Sequence, residues 1–391
     1  MMVERRRSEI YSWVVAGVFW LLIFSYGLNW FAVAPLLKDL ESMYGIGGAE
    51  SHLLLSIIGL FVVFFAWPAG RVVDKKGPRY SVLIGALLMV IGFAGRIWLN
   101  DSYPKILLAT SIAGFGLAWI LVALAPQMIQ WFKERASLAI GVVSSGLFIG
   151  FGTASLLSPY IKNIYGLNMV YTSFAVLSLI AFLLYLIFGK DREKAEKESA
   201  GIIEGFRGIF SSKNAILYSL IGFFIVGSTL SASALLPKIA IGSGMSEVQG
   251  GNIISAMLFG SALGAFAFPY VANKYGVKRS SLLIAILGVI LWLVFRINPP
   301  FAIYLLISFL FGVCLQATWP VALHCQETEK GVNEKNVGIA ASLYISVSNV
   351  GGAVLPVAIG KVADQSLNNA FILLLAYLVI FTILWGIVKR K

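Results

Sequence analysis

The sequence predicts an all-α membrane protein with twelve transmembrane helices, arranged as two six-helix bundles related by pseudo-symmetry. Hydrophobic residues make up 59% of the 391 positions and charged residues only 12%, whereas a soluble protein carries about 25% charged residues. A helix needs about 20 apolar residues to cross the hydrocarbon core. Twelve stretches are long enough, namely 12–37, 50–70, 80–99, 104–129, 137–159, 167–188, 215–237, 250–271, 280–297, 301–325, 337–359 and 368–388.

One half of the chain resembles the other. Segment 70–79, Gly-Arg-Val-Val-Asp-Lys-Lys-Gly-Pro-Arg, has a degenerate copy at 269–278, Pro-Tyr-Val-Ala-Asn-Lys-Tyr-Gly-Val-Lys. An offset of about 200 residues likewise relates the pairs Gly114/Gly312, Pro159/Pro356, Lys38/Lys238, Arg96/Arg296 and Lys162/Lys361. This period is too long for a solenoid and fits the parallel repeat of a secondary transporter, whose substrate site lies between the halves near the bilayer midplane. We expect bundles at 1–188 and 214–391, joined by a polar linker at 189–213.

Lysine and arginine residues set the expected orientation. With both termini inside, one side of the membrane holds 23 of the 30 basic residues, so we assign that side to the cytoplasm and the protein to the plasma membrane. The first apolar stretch is too long for a signal-peptide core and should remain as the first span. The net charge of +12 is scattered over short loops, which indicates anionic lipid headgroups rather than nucleic acid as its partner. Cys314 and Cys325 share the tenth span, about 16 Å apart, and cannot form a disulfide.

Segment 70–79 contains a recognisable pattern. Its matching residues are Gly70, Asp74, Lys75, Gly77 and Arg79, while Pro78 replaces a usual basic residue. With twelve spans and a middle linker, this pattern resembles the signature of the major facilitator superfamily. The resemblance implies that the loop holds the cytoplasmic side closed when the cavity opens outward. Asp74 can accept hydrogen bonds from cationic groups or from the free N–H groups of a helix N-terminus. The second copy lacks an Asp before Lys274, which predicts a weaker contact.

A second segment, from Gly114 to Pro159, resembles the fourth and fifth spans of solute porters in that superfamily, and its Arg135 is assigned to gating with the residues above. Organic-anion, nitrate and haem/choline-type carriers share the pattern. Nitrate porters place an arginine in the second and eighth spans, and neither span has one here. The proline–glycine pattern of drug/proton antiporters is absent from the fifth span.

Charged residues avoid the middle of every predicted span, as expected from a cost of about 2.5–3.5 kcal/mol each. Arg96 and Arg296 lie near the outer ends of the third and ninth spans. They either snorkel to outer headgroups or form an outer ring that collects anions, and nearby acids favour the first interpretation. His324 is the only histidine within a span; it could relay a proton, donate to a substrate carboxylate or serve gating and packing. No buried carboxylate is predicted, so facilitated diffusion or exchange is as reasonable as proton coupling.

An aromatic, uncharged site is predicted between the halves, because the resemblance implies that the first, fourth, seventh and tenth spans line the cavity. The candidate substrate-binding residues are Tyr26, Asn29, Trp30, Trp119, Gln127, Gln316, Trp319, His324, Tyr344 and Asn349, with hydroxyls of Ser228, Thr229, Ser231 and Ser233. Aromatic faces with amide and hydroxyl groups suit a neutral organic solute, or a quaternary or zwitterionic amine held by cation–π contacts.

The sequence therefore predicts a carrier that moves a small organic solute by alternating access, as a monomer without cofactor, metal or enzymatic activity. A small-anion carrier using the outer arginines and His324 is the alternative within this class. An ion channel would require a continuous polar stripe, and a membrane enzyme would require clustered carboxylates or metal ligands at membrane depth. The predicted spans show neither.

Overall fold

The computed structural model describes residues 2–192, 209, 212–333 and 335–389. Most of the predicted polar linker, 189–213, therefore lies outside the described residues. Fourteen α-helices are formed in this part of the chain: α1 Met2–Phe31, α2 Leu37–Tyr44, α3 Gly48–Lys76, α4 Pro78–Trp98, α5 Tyr103–Phe132, α6 Ala136–Tyr165, α7 Leu167–Phe188, α8 Lys213–Gly242, α9 Glu247–Tyr275, α10 Val277–Val294, α11 Phe301–Gln316, α12 Trp319–Glu327, α13 Val337–Gln365 and α14 Leu367–Ile387.

These helices build the twelve predicted spans. Each span except the tenth is a single helix, and the short α2 follows the first span. The tenth span consists of α11 and α12, which are separated by Ala317 and Thr318. Pro320 follows the break and has no N–H group, so the carbonyl of Gln316 has no partner four residues later. The all-α architecture is confirmed, and the interruption of the tenth span is a feature that hydropathy alone did not reveal.

Two single-residue turns separate spans in the repeated segment. Gly77 ends α3 with φ 90°, and Gly276 ends α9 with φ 92°. A residue with a side chain rarely adopts such angles, so glycine permits the abrupt turn. Pro78 then occupies the first position of α4, where its fixed φ suits a helix start and its missing N–H costs nothing. The repeated motif thus fixes how the second span leads into the third, and the eighth into the ninth.

Glycines at equivalent positions bring helices together within each half. A Cβ at Gly114 of α5 would lie 2.9 Å from the Cα of Ile58 in α3. A Cβ at Gly312 of α11 would overlap the carbonyl of Met257 in α9. Small residues permit such close approach between helices in lipid, where packing replaces the hydrophobic effect. The sequence repeat therefore corresponds to a repeat of helix contacts.

One end of the bundle carries the start of the linker and both ends of the described chain. Tyr11 donates to the carbonyl of Phe188 at 2.9 Å, and Asn214 donates to the carbonyl of Lys389 at 3.2 Å. The single-residue turn at Gly77 lies at the same end. We call this end the linker face and the opposite end the far face.

Arg96 is buried, with a relative exposure of 1%. Its Nε donates to Thr110 at 3.1 Å, and its Nη1 donates to the carbonyl of Asn29 at 2.7 Å. That carbonyl belongs to the last turn of α1, where a cation interacts favourably with the helix dipole. Arg296 is instead exposed, bonds Asn368 and lies 5.1 Å from the ring of Phe371. Both interpretations of Arg96 as an outer-surface residue are therefore wrong, because its guanidinium joins α1, α4 and α5.

We expect the two arginines to differ in their effect on stability. Arg96→Gln should lower the free energy of unfolding by about 1–3 kcal/mol, because it leaves buried hydrogen-bonding groups unpaired. The matched variant Arg296→Gln should change it by less than about 0.5 kcal/mol, as usual for an exposed side chain. Thermal unfolding of the purified variants measures the difference. Equal losses would contradict the structural role of Arg96.

Candidate functional site

The two halves meet at the linker face through Asp74 and the start of α13. Gly338 donates its backbone N–H to Oδ1 of Asp74 at 2.7 Å. Gly338 is the second residue of α13, so the carboxylate lies at a helix N-terminus, where backbone N–H groups and the helix dipole favour negative charge. The helix contact that the sequence allowed for Asp74 is present in the structure.

Glycine makes this contact possible on both sides. A Cβ at Gly70 would overlap the side chain of Ser342 and the carbonyl of Gly338. A Cβ at Gly338 would overlap the carbonyl of Gly70 and lie 2.7 Å from Oδ1 of Asp74. The backbones of α3 and α13 therefore touch directly. We call the contact between these two helices the first seam.

The first seam continues toward the middle of the bundle. Ser342 donates to the carbonyl of Ala66 at 2.7 Å, and Ser346 donates to the carbonyl of Val63 at 2.9 Å. Farther along, a Cβ at Gly59 would lie 3.6 Å from Oδ1 of Asn349, whose amide donates within its own helix to the carbonyl of Ile345. Of the predicted site residues, Asn349 lies at the inner end of this seam.

A second seam joins α6 and α9 in the pseudo-symmetric position. Asn273, the counterpart of Asp74, donates to the hydroxyl of Ser137 in the first turn of α6 at 3.2 Å. A Cβ at Gly141 would overlap the carbonyl of Ala265. The amide of Asn273 is neutral, whereas charge-assisted hydrogen bonds are shorter and about twice as strong as neutral ones. The geometry thus supports the expectation of a weaker second contact.

The basic residues assigned to gating lie away from Asp74. Lys75 and Arg135 are exposed. The Arg79 side chain donates to the carbonyl of Leu186 at 3.1 Å, and its backbone N–H donates to Asp191 at 2.9 Å. Burial raises the pKa of Asp191 to about 6, although the N–H and charge of Arg79 oppose this shift. Arg79 therefore ties the linker to the first half and does not bridge the two halves.

Trp30, Trp119 and Trp319, three of the predicted site residues, belong to or pack against the large apolar core that both halves share. Trp30 is half-buried and donates its Nε1–H to the carbonyl of Leu55 at 3.0 Å. Trp119 is half-buried, and its buried Nε1 has no hydrogen-bond partner among the described residues. Trp319 is 8% exposed and packs edge-on against Tyr344, with ring centroids 5.8 Å apart. The three rings thus contribute to an apolar core that belongs to both halves.

Polar groups from the broken tenth span border this core. Gln316 donates to the hydroxyl of Thr229 in α8 at 2.8 Å. Tyr344 donates to the carbonyl of Trp319 at 3.1 Å and so fixes the start of α12. The hydroxyl of Thr318, within the break itself, is buried and has no hydrogen-bond partner among the described residues. Trp119 and Thr318 therefore offer polar atoms that a ligand could satisfy.

Other predicted site residues support the interior of the first half. Tyr26 donates to the carbonyl of Ala113 at 2.6 Å. The Asn29 amide donates to Phe174 and Ser178 of α7, at 2.8 and 2.9 Å. Gln127 accepts from Tyr185 at 2.6 Å near the linker face. Tyr26 also packs edge-on against Trp30, with ring centroids 6.2 Å apart, and belongs to the same apolar cluster. Asn29 and Gln127 make their hydrogen bonds to other parts of the first half, and half-buried His324 lies in α12 on the linker side of Trp319.

Two features were missed from the sequence. Phe115 packs on Trp119 and on Phe65, with ring centroids 6.1 and 4.2 Å apart, which extends the aromatic surface along α5 and α3. Glu327 is 4% exposed at the end of α12. The expectation that no carboxylate is buried is therefore wrong, because the predicted tenth span ended two residues before this glutamate. No group of three His, Cys, Asp or Glu residues within the described chain could hold a metal ion.

Comparison with known proteins places these features in context. A family model described as Major Facilitator Superfamily matches residues 19–325. An MFS-type transporter of Gibberella moniliformis is 30% identical over 246 residues, which are 60% of this chain and 58% of the relative. The multi-drug resistance efflux pump PmrA of Streptococcus pneumoniae is 24% identical over 385 residues, or 95% of both chains. The matches to three curated relatives span only 53% to 61% of those relatives' lengths.

Solved structures share the fold. The transporter FucP of E. coli, in its outward conformation, has a TM-score of 0.77 at 15% identity, with 96% of this chain and 99% of FucP covered. The human organic anion transporter MFSD10 also has a TM-score of 0.77 at 15% identity, with the same coverage of both chains. At this identity the likeness concerns the fold alone.

Proposed function

Because the chain belongs to the Major Facilitator Superfamily, we propose that it is a secondary transporter that moves a small organic solute by alternating access. In this proposal the two six-helix bundles rock against each other around a central site. The closed seams at the linker face support it, since they join helices of different halves through contacts that can separate. The structure then corresponds to the conformation closed at the linker face.

Three tryptophans of the apolar core that both halves share carry the proposal for the substrate. Trp30, Trp119 and Trp319 supply aromatic faces, and the unpartnered atoms of Trp119 and Thr318 supply a donor and a hydroxyl. Such a lining favours a neutral or zwitterionic solute or a quaternary amine, because aromatic faces bind cations without a buried counter-charge. The anion-carrier alternative loses support, since Arg96 is bound within its own half.

Orientation and assembly are part of the same proposal. We assign the linker face to the cytoplasm, because basic residues concentrate in the loops at that face. We also assign the protein to the plasma membrane, as a monomer. Surface labelling of single cysteines on intact cells tests the orientation. Labelling of an introduced cysteine at exposed Lys330 by an impermeant reagent, without permeabilisation, would reverse the assignment.

A ligand screen tests the substrate class. The purified chain is heated with tetraalkylammonium ions, betaines, neutral sugars, amino acids and mono- or dicarboxylates, and hits are followed by counterflow in proteoliposomes. A ligand that binds the folded state raises the unfolding temperature by mass action. We expect hits among the amines or neutral solutes. Saturable counterflow of carboxylates alone would overturn the substrate class, and conductance without saturation would overturn the carrier.

Asp74→Asn should weaken closure of the linker face without unfolding the protein. The substitution keeps the shape but removes the charge held at the start of α13, and a loss of about 1.4 kcal/mol would shift the gate equilibrium tenfold. Accessibility of a cysteine introduced near the tryptophans of the shared core, probed from the linker face, should rise accordingly. The matched variant Asp101→Asn, whose exposed carboxylate pairs with Lys105, should leave accessibility unchanged. Identical accessibility in both variants would argue against the role of Asp74.

A further inference from the structure

An apolar groove opens on the outer side of the second half, between α9 and α10, with a volume of about 690 Å³. Val271 of α9 and Leu283 and Leu287 of α10 line it and are exposed. Its floor includes Gly264 and Val313, where the backbones of α9 and α11 touch, since a Cβ at Gly264 would overlap the carbonyl of Val313. The groove therefore faces the surrounding lipid and not the interior of the bundle.

The groove marks a departure from the pseudo-symmetry of the two halves. In the first half α4 touches α5, because a Cβ at Gly85 would overlap the carbonyl of Gly116. Gly85 lies eight residues after the turn at Gly77, and the residue eight positions after the equivalent turn at Gly276 is Ile284. Ile284 lines the groove. A branched side chain in the place of a glycine keeps the two backbones apart, so the sequence of the second half itself provides the open space.

The linker-face end of the groove is basic. Exposed Arg279 and Tyr275 line this end, and the ammonium group of Lys274 lies 5.2 Å from the centre of the Tyr275 ring. Residues 248–326 include these two cations and Lys278 but contain no aspartate or glutamate. None of the three basic side chains forms an ion pair with another described residue. Their charge is thus available to an anion at the level of the lipid headgroups.

We propose that this groove binds one anionic phospholipid from the leaflet at the linker face. An acyl chain lies along Val271 and Leu283, and the headgroup phosphate is held by Arg279 and Lys274. A guanidinium binds phosphate oxygens in a bidentate manner, and an ammonium binds them as a point charge. Beyond Tyr275, Arg279 and Ser280 at the basic end, every side chain that lines the groove is apolar, as an acyl chain requires.

Charge also distinguishes a lipid from a second copy of the chain as the occupant. In a two-fold symmetric contact the same surface meets itself, so Arg279 and Lys274 of one copy would approach those of the other. Like charges repel, whereas an anionic lipid neutralises them. Basic sites between transmembrane helices at the cytoplasmic side are typical of such headgroup binding. The site lies outside the proposed solute site, and its occupancy does not depend on transport.

Native mass spectrometry of the delipidated chain tests the headgroup. Phosphatidylglycerol and phosphatidylcholine with identical acyl chains are titrated separately, and glycerol 3-phosphate serves as a competitor without acyl chains. We expect one phosphatidylglycerol per chain, bound about tenfold or more tightly than phosphatidylcholine, because each nearby cation favours an anionic lipid about fivefold. Equal binding of the two lipids overturns the proposal. So does equally effective competition by glycerol 3-phosphate, which would indicate a simple anion site, or a lipid-free mass of two chains, which would indicate a dimer contact.

Substitutions at the basic end test the named cations. Arg279→Gln should weaken phosphatidylglycerol binding about fivefold, and Arg279→Gln with Lys274→Gln about twenty-five-fold. Added salt should weaken binding to the parent chain and have little further effect on the double variant. The matched variant Arg296→Gln removes an exposed cation beyond the other end of α10 and should bind as the parent does. Equal losses in Arg279→Gln and Arg296→Gln would show a general effect of net charge and contradict the site.

Filling the groove tests the place of the acyl chain. Ala267 lines the groove and is exposed, so Ala267→Phe introduces a ring where the chain should lie. Phosphatidylglycerol binding should fall at least about tenfold, because the ring occupies the same volume. Ala302→Phe, at an exposed position in the first turn of α11, should bind as the parent does. In the unaltered chain, phosphatidylglycerol with a photoreactive acyl chain should label peptides of α9 or α10. Parental binding by Ala267→Phe, or labelling confined to other helices, shows that the groove is not the site.

Discussion

Replacing Trp319 by Ala should weaken ligand binding about tenfold to a hundredfold. The ring packs on Tyr344 and belongs to the apolar cluster shared by both halves. Its removal eliminates a large apolar face and any cation–π contact, worth together about 1–3 kcal/mol. Trp30→Ala should have an effect of similar size, whereas Phe at either position should retain part of the affinity because an aromatic face remains. Calorimetry with the strongest ligand from the screen measures these differences.

The position of the ring, and not its mere loss, should determine this result. Trp98, which is 74% exposed at the end of α4, offers a matched control, and Trp98→Ala should leave affinity unchanged. Gln316→Ala should reduce affinity by less than Trp319→Ala, because the amide already bonds Thr229. If Trp319→Ala and Trp98→Ala bind alike, or if a ligand-bound structure places the solute outside the cluster, the aromatic site is wrong. The family assignment would be unaffected.

Gly338→Val should abolish turnover while leaving the protein folded. A side chain at this position would overlap the carbonyl of Gly70, and even its Cβ would lie 2.7 Å from Oδ1 of Asp74, so α3 and α13 cannot meet. The closed state of the linker face then becomes inaccessible, and a carrier confined to one conformation cannot complete its cycle. We expect counterflow to fall by at least about a hundredfold, which corresponds to a shift of roughly 2.8 kcal/mol in the gate equilibrium.

A second glycine of the same helix provides the control. Gly360 of α13 has nothing within 4 Å of its would-be Cβ, so Gly360→Val tests helix propensity and membrane insertion without obstructing the seam. It should retain most of the activity. Binding of the ligand should persist in Gly338→Val, since the tryptophans of the shared core lie away from Gly338. Full counterflow in Gly338→Val would show that closure of the first seam is dispensable.

Hydropathy and the repeat predicted the spans and the halves because lipid requires long apolar helices and the motif marks their order. Which side of each helix faces the partner half could not be predicted in the same way, because a span that is apolar all round has no periodicity to reveal its inner side. Asn29 and Trp30 are neighbours on α1, yet Asn29 bonds α7 and Trp30 bonds α3. Successive residues of a helix point about 100° apart. Which of them faces the partner half is decided by tertiary packing.

Arg96 and Glu327 show the same limit for charged residues. Their positions near the ends of predicted spans suggested contact with water, because the sequence indicates only how far along a span a residue lies and not what packs beside it. Burial instead follows from neighbours that are distant in sequence: the last turn of α1 for Arg96, and α6, α8 and α13 around the short helix that ends at Glu327. Asp74 was easier, since its carboxylate was expected to accept from a cation or from a helix N-terminus, and the second of these contacts is present.

The interruption at Ala317 and Thr318 gives the tenth span a hinge between two helical segments. Its outer segment, α11, packs with α9 deep in the second half through Gly312. Its inner segment, α12, carries Trp319 at one end and Glu327 at the other. A tilt of α12 about this break would move both residues in the same direction, Glu327 the most and Trp319 the least, without disturbing the packing of α11. A ligand that contacts Trp319 would thus be coupled to the packing around Glu327 at the linker face through the tilt of one nine-residue helix.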